Sequence, residues 1–177
     1  GTDPRFADAA HQLGQILASR DLGLVYGGGK SGLMGIIADA VIAADGHATG
    51  IIPTFLDNVE IAHHGLNDLH VTDTMHERKD MMYEIADGFI IMPGGLGTLD
   101  ETMEIITWRQ LGLHRKPIII ANLHGYWDHM LLLFQNIIDG GFMHHGHTGH
   151  FEHVDDMDAL ADKLDAHFPA SHNATNQ

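Results

Sequence analysis

Six short β-rich runs alternate with helical stretches along this chain, and few architectures accommodate that order. The runs are Gly23–Tyr26, His47–Ile52, Asp68–Val71, Gly88–Met92, Pro117–Ala121 and His150–Val154. The middle ones are continuously apolar, which suits strands covered on both faces. The segments around them, Phe6–Ser19, Leu33–Ala44, His76–Ala86, Thr98–Leu111, Tyr126–Asp139 and Met157–His167, carry helical spacing. The alternation predicts an α/β fold: a Rossmann-like parallel sheet with helices on both faces. With 177 residues, 44% of them hydrophobic, one domain with its own core is expected. It should span residues 1–169, with a polar, flexible tail at 170–177. Domains of this kind usually open on a strand and a ligand-binding turn. This sequence opens on a helix, without an initiator methionine, so the first strand is expected to be missing from the chain.

Charge narrows the possible partners. The formal net charge is −15, from 24 acids against 9 bases, which argues against nucleic acid and anionic membranes. The 16 histidines offset much of that charge only below about pH 6.5. There is no cysteine, so disulfides and thiolate–metal sites are excluded. No apolar stretch approaches the ~20 residues that cross a bilayer, and the first residues do not resemble a signal peptide. A soluble, cytoplasmic protein is expected. A small phosphorylated ligand stays compatible, because a few local donors overcome a distant negative field.

The strongest local signal is Pro93-Gly-Gly-Leu-Gly-Thr-Leu-Asp-Glu101, directly after an apolar run. A strand that ends in a glycine turn and opens a helix at Thr98 aims free backbone N–H groups at one point, a natural seat for phosphate. Glu101 follows three residues later, and a carboxylate beside a phosphate seat points to chemistry on a phosphorylated sugar. Thr98 and Glu101 also form a capping box, which explains the glutamate but not the glycine spacing before it. Asp100 and Glu104 read as solvated helix charges.

Met75-His-Glu-Arg-Lys79 puts Arg78 and Lys79 near a helix start, where the dipole prefers acids. Bound phosphate would remove the conflict; two solvated surface bases are the plainer reading. Arg78 can fork onto a carboxylate or phosphate, which lysine cannot copy. Gly27-Gly-Gly-Lys-Ser-Gly32 formally satisfies G-x-G-x-x-G, but the next strand ends Ile51-Ile-Pro-Thr54 without the acid of a dinucleotide site. The phosphate-loop pattern fails as well, because Leu24 stands where its first glycine belongs. These glycines serve turn and packing needs or a close ligand approach. The run from His144 to His153 has the residue types for zinc or nickel, yet its glycine-broken spacing fixes no geometry, and no metal is expected. Trp108, Leu111 and Leu113 suit packing or a subunit contact, and the methionines at 75–82 and 92 suit core.

Taken together and in order, these motifs resemble the LOG ("lonely guy") family of cytokinin riboside 5′-monophosphate phosphoribohydrolases. The residues that carry the likeness are Gly27-Gly-Gly-x-x-Gly-Leu-Met-Gly35, Met75-His-x-Arg-Lys79, Pro93-Gly-Gly-x-Gly-Thr-x-x-Glu101 and Thr107-Trp-x-Gln-Leu-Gly112, followed by His114 and Lys116-Pro117. Glu60-Ile-Ala-His63 matches a further family segment, and the likeness spans about residues 5–165. The resemblance implies hydrolysis of the N-glycosidic bond of a nucleoside 5′-monophosphate to free base and ribose 5-phosphate. It implies a homodimer with active sites near the subunit interface, and neither cofactor nor metal. By position, Arg78 and Glu101 would be the catalytic pair. Gly94, Gly95, Gly97 and Thr98 would hold the phosphate, and Glu60, Lys79 and Thr107 would make further substrate contacts.

His76 is a candidate proton donor to the leaving base. The old family label of lysine decarboxylase finds no lysine here in a pyridoxal-phosphate setting. Two departures stand out: the family's opening strand, ending Cys-Gly-Ser-Ser, has no counterpart, and Arg109 replaces a frequent alanine. A general adenosine monophosphate nucleosidase and a non-catalytic nucleotide or pterin-cofactor carrier are the alternatives. A dinucleotide-dependent oxidoreductase is disfavoured by the missing acid.

Overall fold

A computed structural model describes residues 1–57, 62–143 and 149–169. Glu60, His144, His145 and His147 of the histidine-rich run, and the tail from Ala170 lie outside the described residues. The chain runs α1 (Pro4–Ser19), β1 (Leu24–Tyr26), α2 (Gly32–Ala43), β2 (Ala48–Pro53), α3 (Thr54–Asp57), β3 (Asp68–Thr72) and α4 (Met75–Ile85). It continues with β4 (Phe89–Ile91), α5 (Leu96–Gln110), β5 (Ile118–Ala121), α6 (Asp128–Asp139), β6 (Glu152–Val154) and α7 (Met157–His167). All six expected strands and all six expected helices form. Among the described residues, the single turn α3 and the 3₁₀ turn Leu123–Gly125 have no counterpart in the sequence reading.

Local chemistry sets the ends. Asp3 caps α1 by accepting from the Arg5 N–H, and Pro4 takes the first helical position, where its missing donor costs nothing. Apolar Ala9, Ala10, Leu13 and Leu17 then fall on one stripe and are buried. Thr74 and Glu77 form a reciprocal capping box at the start of α4. Asn122–Trp127, expected in part as helix, instead makes a 3₁₀ turn with His124 at φ 56°, so α6 starts two residues later than its spacing suggests.

Every strand pairing is parallel. Leu24 stands opposite Ala48 and Thr49 opposite Asp68; Phe89 stands opposite Ile118 and Ile119 opposite Glu152. β5 shows why helices cover both faces. Ile118 and Ile120 point into one core with Ile105, Ile106, Trp127 and Phe134, while Ile119 and Ala121 point into the other with Leu13, Val41, Leu160 and Leu164. Each such isoleucine contributes roughly 1.5–3 kcal/mol by its burial.

The sheet is split. Strands follow the orders β1-β2-β3 and β4-β5-β6, and among the described residues no strand pairs with the facing edges of β1 and β4. A cavity of about 600 Å³ lies between those edges, walled by Leu24, Val25, Phe89 and Ile90. Arg78, Thr98 and Glu101 also line it, so the cavity reaches the carboxyl ends of the two strands. No helix among the described residues is long and apolar enough to cross a membrane.

Candidate active site

The carboxyl ends of β1 and β4 carry the two glycine turns, at Gly27 and Gly94, and Gly27, Pro93 and Thr98 line one mouth. Ligands of open parallel α/β sheets bind at such ends. The turn after β4 leads straight into α5, whose N-cap is Gly95 with no side-chain cap. Leu99 is the first residue of this helix to bond back, to the Gly95 carbonyl at 3.1 Å. The Leu96, Gly97 and Thr98 amides therefore have no intrahelical partner, and no acid stands in the first turn. That is an open positive pole. A Cβ on Gly94 would lie 2.1 Å from Thr98 Oγ1, so only glycine lets the threonine fold over the turn. Gly95 and Gly97 face open space.

Here the structure corrects the helix start. Thr98 is not the N-cap, because α5 begins at Leu96, two residues earlier than the threonine suggested. Extended, side-chain-free Gly95 ends the turn and opens the helix first. Glu101 is consequently the sixth helical residue and has no capping role. It faces Arg78 instead.

The Arg78 Nη1 lies 3.4 Å from Glu101 Oε1, and its Nε donates to the Ile51 carbonyl at 3.0 Å. The arginine side chain is 11% exposed and the glutamate 34%. A Cβ on Gly27 would fall 1.9 Å from Nη2, so that glycine makes room for the guanidinium. The glycine motif marked Gly27 as a turn or ligand position; its packing against the Arg78 guanidinium is what motif matching missed. Gly27→Ala should push the guanidinium off Glu101 and lower kcat/KM about 10- to 100-fold, with melting temperature little changed. Unaltered turnover would show that this placement does not matter.

Burial raises the Glu101 carboxyl above the usual carboxylate range, and the Arg78 guanidinium partly offsets the rise. The folded protein thus holds this proton more tightly than the unfolded chain. Stability falls as pH rises from the unfolded value through the folded one, and the cost persists at neutral pH. In a carbon-13 NMR titration Glu101 should titrate above ordinary glutamates, and Arg78→Gln should move its midpoint further up. A midpoint at or below the ordinary range would contradict this environment.

The remaining candidates separate. Lys79 stands between Asp100 Oδ2 at 3.2 Å and Glu104 at 3.1 Å. It ties α4 to α5, and Asp100 and Glu104, expected to be solvated, are its partners. Thr107 is exposed two turns along α5 from Thr98 and lines neither of the cavities beside Glu101. His76 is exposed and faces Asp80 at 3.7 Å rather than the mouth. Trp108 packs edge-on against Tyr83 at 4.8 Å. Among the described residues no three His, Asp or Glu side chains group as metal ligands.

The fold and the mouth define a Rossmann-like α/β protein with an uncapped helix start and a carboxylate–guanidinium pair beside it. Comparison with known proteins agrees. The family model described as "possible lysine decarboxylase" matches residues 34–164. Over 164 residues the chain is 40% identical to a probable cytokinin riboside 5′-monophosphate phosphoribohydrolase of Oryza sativa subsp. japonica, covering 93% of this chain and 72% of that protein. It is 41% identical to a cytokinin riboside 5′-monophosphate phosphoribohydrolase of Arabidopsis thaliana, over 94% of this chain and 73% of that one. A counterpart from Rhodococcoides fascians is 41% identical over 81% of this chain and 73% of its own length. The chain belongs to the LOG family.

Two solved structures share the fold at lower identity. The molybdenum cofactor binding protein of Rippkaea orientalis superimposes with a TM-score of 0.69 at 21% identity, over 93% of this chain and 88% of that one. The molybdenum cofactor carrier protein of Chlamydomonas reinhardtii superimposes with a TM-score of 0.70 at 16% identity, over 93% and 89%.

Proposed function

We propose that this protein hydrolyses the N-glycosidic bond of nucleoside 5′-monophosphates, cytokinin nucleotides among them, to free base and ribose 5-phosphate. One observation carries the reading: the Arg78–Glu101 pair lies beside the open start of α5, in a chain about 40% identical to enzymes of that name. The Gly94–Thr98 turn grips the phosphate, and its binding energy holds the sugar against Glu101. The C1′–N bond breaks with its electron pair leaving on the base. Positive charge develops on the ribose, as in glycoside hydrolysis, and the Glu101 carboxylate stabilises it. Water forms the new C1′–O bond, and its proton ends on the base nitrogen, so the reaction balances with water alone. Arg78 orients Glu101 and adds a cation toward the phosphate side.

Lysine decarboxylation, the chemistry in the family model's description, is not the reading the side chains favour: Lys79 pairs with Asp100 and Glu104, Lys116 donates to the Tyr83 carbonyl, Lys163 pairs with Glu152, and Lys30 is exposed at the turn after β1. The reaction would take place in the cytoplasm, in one domain over residues 1–169, with Glu60 and Lys79 as outer substrate contacts and Thr107, which lines neither cavity, outside them. It takes the working form as a homodimer, for which exposed Leu111 and Leu113 at the end of α5 offer an apolar contact. Incubation with adenosine 5′-monophosphate and with its isopentenyl derivative tests the reading by chromatography. Base and ribose 5-phosphate should appear in equal amounts, and faster release from the isopentenyl nucleotide would separate a cytokinin enzyme from a general nucleosidase. Tight binding of nucleotide with no base released would favour the carrier alternative.

A further inference from the structure

We propose that Tyr126 is a positioning residue for the phosphate seat, acting through the peptide unit between Gly94 and Gly95; this rests on the seat described above. The Tyr126 hydroxyl donates to the Gly94 carbonyl at 2.6 Å, across 32 positions of sequence. In a planar trans peptide the C=O and the following N–H point in opposite directions, and no peptide bond here is cis. Holding the Gly94 carbonyl toward Tyr126 therefore turns the Gly95 N–H the opposite way. Glycine on both sides of this peptide leaves it free to flip, since neither residue has a Cβ to restrain it. A single hydrogen bond on the carbonyl selects one orientation. With that orientation the Gly95 amide joins those of Leu96, Gly97 and Thr98 as a fourth donor.

The tyrosine, though 42% exposed, is flanked by two aromatic rings. Its ring meets Phe6 edge-on at 5.3 Å and Trp127 edge-on at 4.8 Å. The turn that presents it has His124 at φ 56° and Gly125 at φ 72°. A left-handed non-glycine residue is uncommon and needs support from its surroundings. Buried Asn122 supplies that support: its Oδ1 accepts from the Trp127 N–H at 2.7 Å and its Nδ2 donates to Asp128 Oδ1 at 2.8 Å. The strained turn, the asparagine brace and the aromatic contacts all converge on where one hydroxyl points.

Tyr126→Phe in the full chain removes the hydroxyl and keeps the ring packing. Inorganic phosphate binding, measured by calorimetry, should weaken roughly three- to tenfold, the usual worth of one neutral hydrogen bond. KM for adenosine 5′-monophosphate should rise by the same factor with kcat within about twofold, and activity on the unphosphorylated nucleoside should not move. A purely structural role would instead lower the melting temperature and scale both substrates together. Phosphate bound as tightly by the variant as by the parent overturns the proposal. If the parent releases no base yet binds phosphate, and the variant binds it more weakly, the positioning role stands and the hydrolase reading falls.

Discussion

Glu101→Gln is expected to lower kcat on adenosine 5′-monophosphate by about 10²–10³, with KM changed little. The amide keeps the shape and the contact with Arg78 but removes the negative charge that faces the developing ribosyl cation. An electrostatic group aimed at transition-state charge is typically worth about 3–4 kcal/mol, which sets that range. A stability effect would not imitate this result. Gly95 is the N-cap of α5, so no cap is lost, and the carboxylate already carries a burial cost at neutral pH that the neutral amide avoids. The melting temperature should therefore stay within a few degrees of the parent. Full turnover by the glutamine protein would remove Glu101 from the chemistry.

Arg78→Ala should be as damaging to turnover and far more damaging to the fold around it. The substitution unpairs Glu101 and leaves the Ile51 carbonyl without its side-chain donor, inside a pocket where the arginine was 11% exposed. An orphaned buried acceptor costs about 1–3 kcal/mol, so thermal stability should drop measurably. Turnover should fall about 10²-fold or more. Arg78→Lys should not restore it, because one ammonium cannot serve the Ile51 carbonyl and the Glu101 carboxylate from the directions a planar fork does. In a double-mutant cycle with Glu101→Gln the losses should be strongly non-additive, as for residues acting as a unit. Additive losses would mean that the two side chains work separately.

Much of this was legible in the sequence because it is written locally. The strand at Ile118–Ala121 is a run of four apolar residues that only a doubly covered strand accommodates, and it is buried throughout. Pro93 to Glu101, directly after a strand, announces a turn and a helix within nine residues. Boundaries were less legible: the threonine looked like a cap, yet glycine with no Cβ ended the turn two residues sooner. What escaped reading was long-range. The Arg78 head group meets Ile51 across 27 positions, Lys79 meets Asp100 across 21, and Tyr126 meets Gly94 across 32. No periodicity encodes such encounters, since they arise only once strands and helices have docked. Gly27 illustrates the gap: its motif suggested a turn or a ligand, whereas its missing side chain admits an arginine from another helix.

The most direct test is a structure of this protein with a nucleoside 5′-monophosphate bound. The phosphate oxygens should lie within hydrogen-bond reach of the Gly95, Leu96, Gly97 and Thr98 amides, with the anomeric carbon beside the Glu101 carboxylate. A phosphate seated elsewhere, with the ribose turned away from Glu101, would contradict the proposed hydrolysis.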